Sequence, residues 1–182
     1  PENADISKFM KNAGMLKNAG VDIITIADCP IARARVDSSL LACKLKRELN
    51  IDVIPHLTCR DRNINATKAL LLGLNIENIR NVLIVTGDPI PSAQRDEVKS
   101  VFNFNSRMLA KYVRTLNETV FPDGFHTFGA LNINAKNFDV QLKMAKEKEL
   151  NGMEGFLTQP VLTEKGFENL KKAKQELNGK IL

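Results

Sequence analysis

Short apolar runs alternate with longer stretches of helical periodicity along the whole chain. The runs are rich in β-branched residues, as strands of a sheet are, and most end in polar residues. The longer stretches carry apolar residues three and four positions apart and often begin at a capping Asp, Asn, Ser or Thr. Because the two kinds of element alternate with short links, the pattern predicts βαβ units and a parallel sheet. The predicted strands are residues 21–27, 51–57, 81–87, 125–133 and 155–157, and the predicted helices are residues 5–18, 37–49, 66–74, 106–116, 137–150 and 163–178.

The most informative stretch is residues 81–91, which read Asn-Val-Leu-Ile-Val-Thr-Gly-Asp-Pro-Ile-Pro. Its continuous apolar run indicates a strand that is buried on both faces, and the strand delivers Asp88 at its end. Gly87 permits close approach of the backbone to a flat ligand, and Pro89 ends the strand because it lacks a donor. Taken alone, a Gly-Asp-Pro sequence equally predicts an aspartate that caps a turn.

The order of elements is one helix followed by five strand-helix pairs, which we interpret as a single domain over residues 1–182. A doubly wound nucleotide-binding sheet should have a glycine-rich turn after its first strand, but residues 28–30 contain no glycine. An α/β fold of the (β/α)8 TIM barrel type is therefore favoured. Because a full barrel needs about 250 residues, we expect an incomplete portion with about five parallel strands, without the first strand and the last two units.

Two further expectations follow from this fold. Residues 51–57 contain Pro55, which we expect to interrupt the second strand because proline cannot donate to a ladder. An open five-stranded piece would also leave unpaired edges at residues 21–27 and 153–158. Unpaired edges favour pairing between copies, so we expect a homo-oligomer.

Composition and charge restrict the functional classes. With 43% hydrophobic and 26% charged residues and no long apolar run, the chain resembles a soluble globular protein, expected in the cytoplasm without membrane contact. Its three cysteines form no CxxC pair and are interpreted as reduced thiols, and its two histidines are too few for a His-rich metal site. The net charge of +5 lies mostly in Lys/Glu helical stretches, and Trp is absent, which makes nucleic acid a poor partner.

Polar residues cluster where the predicted strands end. On a barrel the carboxyl ends of all strands meet at one mouth, so we expect these side chains on a common rim. Asp, His, Thr and Gln there would bind a planar polar ligand. The sequence has no Ser-His-Asp arrangement and no His-x-x-x-His pair, so hydrolysis by a triad or a metal has little support. The strand-end pairs are Thr25 with Asp28, His56 with Thr58, Thr86 with Asp88, and Thr158 with Gln159.

Four short motifs stand at these strand ends. They are Pro-His-Leu-Thr-Cys at 55–59, Val-Thr-Gly-Asp-Pro at 85–89, Gly-Ala-Leu-Asn at 129–132 and Leu-Thr-Gln-Pro at 157–160. In this order and spacing they resemble the methylenetetrahydrofolate reductase family, and the resemblance covers essentially the whole chain. It is closest to the reductase part of bacterial bifunctional proteins that also carry a homocysteine S-methyltransferase domain.

The resemblance implies a barrel that binds FAD, takes a hydride from NADH or NADPH, and reduces 5,10-methylenetetrahydrofolate to 5-methyltetrahydrofolate. Folate and NAD(P)H are then the small-molecule partners. Asp88 matches a catalytic aspartate near the flavin pyrimidine edge, which also contacts the pterin, and its fixed charge would lower the flavin potential. Gln159 matches the amide that binds the pterin. The positions that match flavin contacts are Thr25, His56, Thr86, Gly87, Asp88, Phe104, Asn105, Ala130, Leu131, Asn134 and Lys148.

Some of these residues also have an ordinary structural interpretation. An isolated His56 equally predicts a core histidine, and Lys148 lies in a Lys/Glu run that is typical of a solvated face. Phe104, together with Phe102, equally predicts a hydrophobic staple for the following helix. Leu131 stands where many relatives carry a tyrosine.

The resemblance also bears on what the 182 residues include. The general acid of the family is a glutamate on the first barrel strand, which this sequence would lack, so we expect little reductase activity from the chain alone. A homocysteine methyltransferase domain can precede this one in the full protein. Two other functional classes stay open: a pterin-binding methyltransferase barrel without flavin, and a noncatalytic interaction module.

Overall fold

The computed structural model describes residues 1–94 and 96–182. These residues form two compact units, Pro1–Phe104 and Asn105–Leu182. In both units, helices alternate with parallel strands, which confirms the predicted α/β class and an incomplete (β/α)8 barrel. No helix within the described residues is both long enough and apolar enough to cross a membrane.

The first unit contains three parallel strands in the order β1-β2-β3. Register is fixed by the pairs Ile23↔Asp52 and His56↔Leu83. Buried apolar side chains of the strands and of the helices form its core, among them Leu41, Leu45, Leu57, Leu71 and Ile84. The elements are α1 (Ser7–Asn18), β1 (Ile23–Ile26), α2 (Ser38–Leu49), β2 (Asp52–Thr58), α3 (Ile64–Ile76) and β3 (Asn81–Val85), with short 3-10 turns at Pro30–Ala32 and Ser92–Gln94.

The second unit also has three parallel strands, in the order β4-β5-β6. Leu109, Val113 and Leu142 on its helices and Phe156 on a strand are buried in its core. The elements are α4 (Ser106–Thr119), β4 (His126–Leu131), α5 (Phe138–Leu150), β5 (Gly155–Thr158), α6 (Glu164–Glu176) and β6 (Lys180–Ile181).

Side-chain caps fix most helix starts where the sequence predicts them. The Asp37 carboxylate accepts hydrogen bonds from the Ser39 and Leu40 N–H groups, at 2.8 and 3.2 Å, and so satisfies two orphan donors of α2. The first helix differs, because its N-cap is Ile6, which cannot cap through its side chain, and the carboxylate of Asp5 accepts from the Ser7 N–H at 2.9 Å instead. Four other helices begin at a capping side chain in the same way, with the caps Asn63, Asn105, Asn137 and Thr163.

The expected interruption at Pro55 is wrong, because β2 runs through it. Pro55 lies opposite Ile26, the last residue of β1, and the described pairing with β3 begins one residue later at His56. The missing N–H therefore falls where one pairing ends and the other begins, and the strand tolerates it.

The expected unpaired edge at residues 153–158 is also wrong. The chain pairs this edge with β6, in the register Gly155↔Lys180 and Phe156↔Ile181. The Leu182 N–H donates to the Phe156 carbonyl at 2.9 Å, which extends the ladder by one residue. This edge therefore gives no reason for pairing between copies, and the homo-oligomer stays a prediction.

Candidate functional site

Two predicted site residues lie on one face of the sheet in the first unit. Thr25 pairs with Ile54, and His56 follows Ile54 by two positions, so both side chains project from the same face. Thr25 is exposed and His56 is half-buried near the carboxyl end of β2. The register of β1 and β2 therefore places Thr25 and His56 on one face of the sheet, offset by two residues along the strands.

His56 has a buried ring nitrogen without a partner. Its Nε2 atom makes no hydrogen bond within the described part of the chain, whereas its backbone carbonyl accepts one from the Ser38 hydroxyl at 2.9 Å. Burial lowers the pKa of the imidazole, and the nearby Asp28 carboxylate opposes this effect. A buried polar atom without a partner requires an explanation, and a bound ligand that supplies a hydrogen bond is one.

Protonation of His56 should destabilise the folded chain at mildly acidic pH. Its folded pKa lies below the ordinary value of 6.5, so the unfolded chain binds a proton that the folded chain resists. The associated stability is fully present above pH 6.5 and is lost as the pH falls through the folded pKa. We expect this part of the pH dependence to disappear in a His56→Asn variant.

Urea unfolding of both proteins from about pH 7 to about pH 5 measures this effect. The free energy of unfolding should decrease more steeply with acidification in the wild type than in the variant. Parallel curves for the two proteins would contradict the role of His56.

A buried carboxylate joins the loops that follow β1 and β2. Asp28 is 5% exposed, and its Oδ2 atom accepts hydrogen bonds from the Thr58 N–H at 3.1 Å and the Thr58 hydroxyl at 3.0 Å. The Arg62 guanidinium donates to the same oxygen at 2.6 Å and to the Asp37 carboxylate at 2.7 Å. This network holds the start of α2 and the end of β2 in one arrangement.

Asp88 lies after β3 with an exposed side chain. Its Oδ2 atom accepts a hydrogen bond from the Ile31 N–H at 2.8 Å, a contact that joins residues 57 positions apart. The carboxylate therefore does more than cap its own turn. Thr86 is exposed beside it, and Gly87 has a φ of +95°, a region that favours glycine.

In the second unit, Ala130 and Gln159 lie on one face of the sheet. Ala130 pairs with Leu157, and continued alternation assigns Gln159, which is exposed directly after β5, to the same face. Leu131 pairs with Thr158 on the opposite face, where its side chain is 1% exposed. A ligand on the Ala130 face would therefore meet only the backbone of Leu131.

Lys148 reaches the end of β4 from α5. Its ammonium donates to the Ala130 carbonyl at 2.8 Å, so it is held toward the strand end despite its place in a Lys/Glu run. Burial lowers the pKa of Lys148, and the positive charge of Arg107 lowers it further. Arg107 itself forms an ion pair with Glu147.

Three remaining predicted residues have local surroundings that the structure defines. The Asn105 side chain accepts a hydrogen bond from the Met108 N–H at 3.0 Å and caps α4. Phe104 is half-buried, and Asn134 is exposed in the loop after β4. The structure thus gives Asn105 an observed structural role, while contacts of these residues with a cofactor stay predictions.

The sequence interpretation missed Arg60, Arg62 and the Ile31 N–H. Arg60 is 2% exposed, and its guanidinium donates a hydrogen bond to the backbone carbonyl of Asp88. The run Arg60-Asp61-Arg62 directly after a buried strand is the signal that could have identified both arginines, because charges there must be paired when they are buried. The Ile31 N–H had no signal, since it is a backbone group in a loop of unusual geometry.

Parallel strands, helical links and polar side chains at the carboxyl ends of strands are the features of an enzyme of the (β/α)8-barrel class. The family model described as methylenetetrahydrofolate reductase matches residues 2–180. The chain therefore belongs to the methylenetetrahydrofolate reductase family, as its motifs predicted. Its members are oxidoreductases that act on methylenetetrahydrofolate. A search of curated proteins found no match, and the bacterial bifunctional subtype stays a prediction.

Proposed function

We propose that the chain binds FAD and serves the reduction of 5,10-methylenetetrahydrofolate to 5-methyltetrahydrofolate, with NADH or NADPH as the hydride source. The family is generally flavin-dependent, which supports the cofactor. The single observation that carries the proposal is the buried, unpartnered Nε2 atom of His56 at the end of a parallel strand. Bound FAD would supply the hydride carrier between the nicotinamide and the folate.

The residues of the first unit fit the polar edge of a flavin ring. The flavin ring carries both hydrogen-bond acceptors and donors. The Nε2 atom of His56 can therefore bind it in either imidazole tautomer, as a donor in one and as an acceptor in the other. Thr25 contributes a hydroxyl on the same face. Because burial favours the neutral imidazole, His56 would bind the ring by hydrogen bonding and not by charge.

The residues of the second unit fit a phosphate. Lys148 and Arg107 lie close enough for the charge of one to lower the pKa of the other. An anion beside the two cations would offset that repulsion and favour the charged ammonium. Lys148 would then hold the phosphates of the cofactor, and Ala130 with the Leu131 backbone would line the adjoining face of the sheet.

Asp88 and Gln159 are the proposed folate contacts. A carboxylate accepts hydrogen bonds from the amino and ring N–H groups of a pterin, and an amide can both donate and accept. Both side chains are exposed at the carboxyl ends of their strands and are therefore available to a ligand. The charge of Asp88 would also favour hydride departure from a neighbouring reduced ring, because it disfavours negative charge there.

Anaerobic half-reactions test this proposal. The protein is reconstituted with FAD and mixed with NADH or NADPH, and methylenetetrahydrofolate is then added while flavin absorbance is followed. We expect the flavin absorbance to bleach with the nicotinamide and to return with the folate, with 5-methyltetrahydrofolate as the product, and the return to be slow when the 182 residues are tested without the general acid of the family.

Three other outcomes would overturn the proposal. A protein that binds folate but no FAD would support the pterin-binding methyltransferase barrel. A protein that binds neither would support a noncatalytic interaction module. A reduced flavin whose absorbance spectrum folate neither perturbs nor reoxidises would remove the proposed substrate.

A further inference from the structure

Arg60 holds the backbone of two loops at once. Its side chain is 3% exposed, and its guanidinium donates to the Asp88 carbonyl at 3.2 Å through Nη1 and to the Cys29 carbonyl at 3.3 Å through Nη2. The Asp61 carboxylate accepts from Nε at 2.8 Å and from Nη2 at 2.6 Å. This two-point ion pair fixes the plane of the guanidinium and therefore the directions of its other N–H groups.

The same two loops meet at the Asp88 carboxylate. The Ile31 N–H, which binds this carboxylate, lies two residues after Cys29, whose carbonyl Arg60 holds. Cys29, Ile31 and Ala32 have φ values of 41°, 57° and 53°, in the left-handed region that is unfavourable for residues with a Cβ. Such a loop persists only when its surroundings hold it, and the Arg60–Cys29 bond is one such restraint.

The stem of Arg60 and its backbone add two further contacts. A Cβ atom at Gly87 would lie 3.1 Å from the Arg60 Cβ, so the turn before Asp88 packs closely on this residue. The Arg60 carbonyl accepts hydrogen bonds from the N–H groups of Val101 at 2.7 Å and Phe102 at 3.4 Å. Arg60 therefore contacts three segments of the chain. Two of them supply the Asp88 carboxylate and the Ile31 N–H that donates to it.

We propose that Arg60 is a positioning residue that sets the direction of the Asp88 carboxylate by holding the backbone on both sides of the Asp88–Ile31 hydrogen bond. Lysine cannot replace it, because a single ammonium lacks the planar fork that reaches two carbonyls and one carboxylate. The inference rests on the proposed function only in the role that Asp88 has toward flavin and folate. The positioning itself is a property of the ligand-free chain and is tested there.

Amide hydrogen exchange at Ile31, measured by NMR without any ligand, tests the proposal. Ile31 is 70% exposed, so the bond to Asp88 is the main protection expected for its N–H. An Asp88→Ala variant removes the acceptor and sets the unprotected rate. We expect R60K to exchange about threefold to tenfold faster than wild type, approaching the rate of D88A, which corresponds to the loss of one hydrogen bond.

Arg62→Lys is the matched control. Arg62 is a second largely buried arginine in the same loop, but its guanidinium binds Asp28 and Asp37, not Asp88 or Cys29. We expect R62K to lose global stability while Ile31 keeps its wild-type protection. Equal loss of protection in R62K and R60K would overturn the proposal, because a general loosening would then explain both.

A second variant keeps the test decisive if R60K does not fold. Asp61→Asn weakens the pair that orients Arg60, yet Asp61 is 35% exposed and its removal should leave the fold intact. We expect D61N to raise the exchange rate at Ile31 partway toward D88A. Wild-type protection at Ile31 in R60K, or in D61N if R60K does not fold, would overturn the proposal, as would equal exchange rates in wild type and D88A.

A reaction-based readout separates this proposal from the proposed function. If Arg60 acts through Asp88, R60K and D88N should be strongly non-additive in hydride transfer to folate by the FAD-loaded protein. Failure to bind FAD would remove the proposed function and leave the exchange result valid. Additive effects, or unchanged exchange in a protein that does reduce folate, would remove only the role of Arg60.

Discussion

An Asp88→Asn variant is expected to transfer hydride to methylenetetrahydrofolate about 10²-fold to 10³-fold more slowly than wild type. This is the loss found when one preorganised polar group is removed from a reaction centre. Asparagine keeps the shape of the side chain and can still accept the Ile31 N–H, so the substitution removes the charge and little else. Stopped-flow measurement of flavin reoxidation by the folate would give the rate directly.

Asp96→Asn is the control for this variant. Asp96 is an exposed aspartate on the same connection between β3 and α4, but it does not follow a strand end. The rate of hydride transfer in D96N should stay close to that of wild type. If D88N and D96N both react within about threefold of wild type, Asp88 has no part in the reaction, because that ratio is far below the expected loss.

An Asp28→Ala variant is expected to lower the free energy of unfolding by about 3–5 kcal/mol, the usual cost of removing one partner from a buried ion pair. The Asp28 side chain is 2% exposed and that of Arg62 is 16% exposed. Removal of the carboxylate leaves the Arg62 guanidinium and both Thr58 donors without their shared acceptor. Denaturant unfolding with a linear extrapolation measures the change.

Asp52→Ala provides the comparison. Asp52 also accepts from a cation, Lys46 at 2.7 Å, but its side chain is 64% exposed. A solvent-exposed pair of this kind contributes about 0–1 kcal/mol. Similar losses of stability in D28A and D52A would show that the Asp28 network contributes no more to the stability of the first unit than an exposed ion pair does.

Much of the secondary structure could be predicted from the sequence because local signals agree with the fold. Continuous apolar runs produced buried strands, and capping residues such as Asp37 and Asn137 fixed helix starts. Strand ends were less accurate, since β1 is shorter than predicted at both ends and β3 stops at Val85, before the Thr86 and Gly87 that the prediction included. Pro55 misled the prediction because its effect depends on which neighbouring strand lies opposite, a property of register and not of local sequence.

The candidate site could be predicted only in part. The positions of residues near strand ends, such as His56 and Asp88, could be predicted because topology assigns them to one end of their strands, and their contacts with a ligand stay predictions. The contacts of Arg60 with Cys29 and Asp88 were not predictable, because they join residues 28 or more positions apart through loops. The burial of Leu131 was missed because the resemblance identifies a position, whereas strand alternation decides the face of the side chain.

The most direct test of the central claim follows the imidazole ¹⁵N signals of His56 by NMR while the protein is titrated with FAD. The unpartnered Nε2 atom should change its chemical shift as FAD saturates the protein, and riboflavin should produce a similar change. ADP, which lacks the flavin ring, should leave the signal in place. A His56 signal that saturating FAD does not move would contradict the assignment of a flavin site to these strand ends.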